Sequence, residues 1–73
     1  MSDLLEEIHR AGVILDYIGF YLGTLRWSAA RGKFDGDDLK NVDRTIRAAE
    51  ELLQNLKEIK KFIEEKTEEA TNQ

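Results

Sequence analysis

One break governs what this chain can fold into. Between Arg31 and Asp38 lie two glycines, Gly32 and Gly36, and three aspartates, Asp35, Asp37 and Asp38, which is a turn composition. On either side the sequence runs without a proline, and the whole 73-residue chain has none. Gly32 suits the residue just past a helix C-terminus, and Asp37 or Asp38 suits the N-cap of the next helix. The expected organisation is a single domain, 1–73, with a helix over about 3–31, a turn over 32–37, a helix over about 38–69 and a frayed tail over 70–73. At 1.5 Å per residue the helices would measure about 43 and 48 Å. Two rods of similar length joined by a short turn make an all-α antiparallel hairpin.

Size then argues for more than one copy. Below roughly 70–80 residues a single core rarely sustains a domain alone. The sequence has no cysteine and no evident metal cluster to compensate. Self-association is the remaining support, and a homodimeric four-helix bundle is the expected assembly.

Periodicity assigns the faces. On the second helix Leu39, Val42, Ile46, Ala49, Leu53 and Leu56 step by three and four, a heptad seam broken at Lys60 and resumed at Ile63. Leu52, Ile59 and Phe62 widen it, and charged residues such as Lys40, Arg44 and Arg47 occupy the opposite side. On the first helix Leu4, Ile8, Ala11, Leu15, Ile18, Leu22, Leu25 and Ala29 form the expected core face. Gly12, Gly19 and Gly23 run beside it. A helical glycine costs about 1 kcal/mol against alanine, so such a stripe calls for a backbone packed closely against it.

The far side of the first helix carries Val13, Tyr17, Phe20, Tyr21 and Trp27. A helix apolar almost all round belongs at the centre of an assembly. The first helix is therefore expected inside a dimer of hairpins and the second outside. Val13, Tyr17, Gly19, Phe20, Tyr21, Gly23 and Trp27 are the candidate oligomer or partner interface, with dimer core and docking surface as the two readings of the aromatic line.

Catalytic chemistry finds little support. Glu6-x-x-His9 has the spacing of di-iron carboxylate bundles, but the pair points away from the aliphatic face and reads as solvated. Counting from Asp35, an EF-hand loop would need a Gly at Lys40 and a Glu at Ile46. There is no phosphate-cradling loop and no convincing Ser/His/Asp set. The expectation is a non-enzymatic protein with no cofactor and no metal. Its acidic start is unlike a signal peptide, and the apolar stretch Val13–Leu25 is interrupted by Asp16 and too short to span a bilayer. A cytoplasmic location away from the membrane is expected, in a host cell or from a virus or plasmid it carries.

Charge is uneven along the hairpin. The chain carries −4 overall. Arg26, Arg31, Lys33, Lys40, Arg44 and Arg47 outweigh Asp35, Asp37, Asp38 and Asp43, so residues 26–47 carry +2. Residues 1–25 and 48–73 carry −3 each. That asymmetry can orient a dimer, and the six cations are also candidate phosphate contacts. The layout resembles that of the Rop-type RNA-binding regulators of plasmids, which are helical-hairpin dimers. The likeness is one of layout, and no motif is carried over. Two functions are expected on these grounds. The first is a regulator, adaptor or inhibitor acting on another protein through a bundle dimer. The alternative is a Rop-like regulator that binds nucleic acid through the basic turn end.

Overall fold

The computed structural model describes residues 3–72. Two α-helices, α1 (Asp3–Arg31) and α2 (Gly36–Asn72), pack against one another as a hairpin. The result is a rod of 59 × 16 × 15 Å.

Local chemistry ends one helix and starts the next. Gly32 takes a left-handed backbone at φ 71°. There its N–H donates to the Ala29 carbonyl at 3.1 Å, and the Lys33 N–H donates to the Ser28 carbonyl at 3.2 Å. This is a Schellman closure, which satisfies carbonyls left open at the helix end. Asp35 then caps α2: its Oδ1 accepts from the Asp37 and Asp38 amides at 3.0 and 3.2 Å. Asp38 Oδ2 reciprocates by accepting from the Asp35 amide at 2.9 Å. The pair forms a capping box with aspartate in the role usually held by glutamate. The N-cap is thus Asp35 rather than Asp37 or Asp38, and α2 starts at Gly36 rather than near residue 38. It also continues through Asn72, where fraying was expected from residue 70, while Gln73 lies outside the described residues.

The hairpin closes along a seam that differs from the expected one. On α1 it consists of Leu4, Glu7, Ala11, Ile14, Ile18, Tyr21, Leu25 and Ser28, each buried or half-buried. On α2 it consists of Asp38, Asn41, Thr45, Ala48, Leu52, Asn55, Ile59 and Phe62. Both lines step alternately by three and four, the spacing of paired antiparallel helices. Four of the predicted α1 core residues, Ile8, Leu15, Leu22 and Ala29, are exposed instead. So is the whole predicted α2 seam from Leu39 to Leu56.

Polar pairs account for the choice. Ser28 Oγ donates to Asp38 Oδ1 at 2.7 Å in a buried contact beside the turn. One step further in, Asn41 Nδ2 donates to Thr24 Oγ1 at 3.0 Å. Toward the open end Asn55 Nδ2 donates to Glu7 Oε2. These bonds bridge the two helices at both ends of the seam and set how each is rotated. A hydrophobic periodicity cannot register them.

Candidate functional site

Rotation by 100° per residue places a second line one residue on from the seam in each helix. On α1 that line is Ile8, Leu15, Leu22 and Ala29, and on α2 it is Val42, Ala49, Leu56 and Ile63. In an antiparallel pair of right-handed helices the same rotation on both brings the two lines to the same side of the hairpin. Leu5, Gly12 and Gly19 border this side on α1, and Leu39, Ile46 and Leu53 border it on α2. It is apolar along most of its length, with Arg26 and Lys60 as its charged members. It is also open: Leu15 is 58% exposed and Leu53 55%.

The opposite side has another character. There α1 presents Val13, Tyr17, Phe20 and Trp27, and α2 presents Lys40, Arg44, Arg47 and Glu51. A shallow groove between them is lined by Ile14, Tyr17, Tyr21, Arg44, Arg47 and Glu51. Tyr17 and Tyr21 stack with centroids 6.4 Å apart, and Phe20 meets Tyr21 edge-on at 6.0 Å. The Arg31 guanidinium lies over the Trp27 ring at 5.8 Å from its centroid, a cation–π arrangement. Trp27 and Phe20 are nonetheless 66% and 67% exposed.

The sequence-predicted interface residues are therefore divided. Val13, Tyr17, Phe20 and Trp27 form the aromatic flank, and Tyr21 is half-buried at its base. Gly19 borders the apolar flank. Gly23, with Gly19, lines a groove that Phe20, Thr24, Trp27 and Arg31 share with Asp37, Asp38 and Asn41 of α2. A Cβ added at Gly12, Gly19 or Gly23 would meet nothing within 4 Å. Within the hairpin, then, no backbone approaches the glycine stripe, and nothing in the single chain explains it.

The six candidate phosphate contacts are all exposed but do not share one surface. Arg26 lies on the apolar flank and Lys33 in the turn. Arg31 covers Trp27, and Arg44 Nη1 donates to Asn41 Oδ1 at 2.8 Å. Lys40 and Arg47 complete the basic part of the aromatic flank.

The titratable group with a clear shift is Asp38. Its Ser28 hydrogen bond, above all, holds its carboxyl below the ordinary value of 3.8, helped by the Asp35 amide and the nearby Arg31 charge. Burial opposes the shift without reversing it. The geometry makes this a structural carboxylate that ties the turn to both helices. Among the described residues, no group of three or more His, Asp and Glu could hold a metal ion, and no helix is long and apolar enough to cross a membrane. His9 is exposed on the outer surface of α1.

Sequence reasoning missed Ser28 and Asn55 as structural residues, gave Asp38 a capping role alone, and placed the apolar flank in the hairpin core. The available signal was the doubled seam itself: two heptad lines one residue apart on each helix, more apolar surface than one hairpin can use.

No family model, no curated protein and no solved structure matches this chain.

Proposed function

We propose that the chain is a non-enzymatic regulator, adaptor or inhibitor that acts through protein–protein contacts, as a homodimeric four-helix bundle. The observation that carries this reading is the apolar flank shared by both helices. The chain exposes 5983 Å², whereas a compact monomer of 8.4 kDa exposes about 4,600 Å². Among the described residues, Ile14 is the one buried apolar side chain. So thin a core leaves the hairpin dependent on association. Open apolar surface on this scale marks an interaction site, and the aromatic flank offers Trp, Tyr and Arg, the residue types that dominate binding energy at interfaces.

The nucleic-acid alternative draws on Arg31, Lys40, Arg44 and Arg47, which share the aromatic flank near the turn. Light scattering after size exclusion at micromolar concentration tests the first reading: a particle of twice the 8.4 kDa chain mass is expected, and a stable monomer defeats it. Titration of labelled RNA and duplex DNA at low and raised salt tests the alternative. Binding that weakens steeply with salt would favour it over protein contacts.

A further inference from the structure

We infer that the apolar flank is the seat of a second copy of this chain, and that the two hairpins lie in opposite directions. Each turn then rests beside the partner's open end, and the aromatic flank of both protomers stays outside. This rests on the homodimer reading and adds the face and the orientation to it.

Area supports a second copy as the occupant. Where the two helices pair, a face about 40 Å long and 16 Å wide offers about 640 Å² per protomer, within the range of about 600–1,000 Å² per partner for stable interfaces. The flank draws on both helices along the length of the hairpin, so pairing it with itself gives each of four helices two adjacent buried lines. That wide stripe is what a helix in a bundle needs. Gly12 and Gly19 border the flank with open space beyond their Cα atoms, which gives another helix room to approach.

Charge sets the direction. The turn half, residues 26–47, carries +2, and the segments that meet at the open end carry −3 each. Turn against turn would set like charges together at both ends. Turn against open end sets the positive turn half beside the partner's negative segments, which is the complementary arrangement.

The aromatic flank makes a poorer seat for the same partner. Its α1 half is apolar, but its α2 half is Lys40, Arg44, Arg47 and Glu51. Burying that half against itself would desolvate charges without assigned partners.

Three variants and one label test the inference, with mass by light scattering and helix content by circular dichroism at micromolar concentration. Leu53→Lys should halve the particle mass, whereas Phe20→Lys should leave both mass and helicity as in the unaltered chain. If Leu53→Lys does not fold, Leu53→Ala takes its place, with a lowered melting temperature that climbs with protein concentration. The chain has no cysteine, so a spin label at Lys33→Cys is unique. Opposed hairpins put the two labels ~40 Å or more apart, the length of the paired seam. A monomeric unaltered chain would defeat the homodimer reading itself. A dimer lost with Phe20→Lys but kept with the Leu53 variants would overturn the face alone. Labels within ~20 Å of each other would overturn the orientation.

Discussion

The seam inside the hairpin carries more polar residues than the exposed flank beside it. The seam is buried or half-buried and holds Glu7, Ser28, Asp38, Asn41, Thr45 and Asn55 among ten apolar residues. The flank is exposed and holds Leu, Ile and Val at most of its positions. Buried polar groups contribute little net stability but restrict which alternatives are tolerated, because a mispaired one costs its full desolvation. Apolar surface contributes more energy and little direction. In this chain the polar pairs of the seam restrict how the helices meet, and the flank is left as open apolar surface.

The largest effect is expected at Ile14. It is 7% exposed, and Ile14→Ala should cost about 2–5 kcal/mol, measured by urea melts at fixed concentration. A loss under 0.5 kcal/mol would mean the seam contributes little to the fold. Asn55 sharpens the contrast from the polar side. Its Oδ1 is buried with no partner while its Nδ2 holds Glu7, so Asn55→Leu together with Glu7→Leu should raise stability by about 1 kcal/mol, and Asn55→Leu alone should raise it less because it strands the Glu7 carboxylate. Loss of Asn55 should also loosen helix register, since a buried Asn fixes register in coiled coils, visible as broadened or doubled amide resonances.

The turn offers a smaller effect. Gly32→Ala forces a side chain into the left-handed region and should cost about 1–2 kcal/mol, seen as a lowered melting temperature with α1 and α2 otherwise intact. The Asp38 carboxyl is depressed in the folded chain. Its contribution is therefore present above the ordinary value of 3.8 and lost as pH falls through the folded value. A stability curve from pH 6 down to pH 2 should steepen below about pH 4 in the unaltered chain. It should be flatter there in Ser28→Ala, which lacks the main source of the shift.

The smallest effect should fall on the aromatic flank. Phe20→Ala removes an exposed side chain and should change stability by less than about 0.5 kcal/mol. Trp27 emission should be red-shifted in the purified protein, since two-thirds of its surface is exposed. A blue-shifted Trp27 would place the aromatic flank inside the assembly and reverse the assignment of the two sides.

Much of the hairpin was legible one residue at a time. Gly32 as the helix-ending residue follows from its lack of a Cβ, and the aspartates after it announce a capped helix start. The choice among Asp35, Asp37 and Asp38 did not follow, because all three can cap and their mutual bonds decide. The aromatic line was visible from its spacing by seven, and its position outside the seam was not. On a helix apolar nearly all round, no face stands out.

The features that can be read along the chain are local: two proline-free helical stretches, one glycine–aspartate turn between them and a surplus of apolar lines on both helices. Propensity, capping and left-handed tolerance act within a few residues, so a single chain can be read for them. The tertiary structure decided which line faces which. Two candidate seams one residue apart differ by one 100° rotation, and hydrophobicity even favours the one the hairpin leaves outside. The selection is made by Ser28 meeting Asp38 and by Glu7 meeting Asn55 across 48 residues of chain. Such pairings exist only once both helices are formed and side by side.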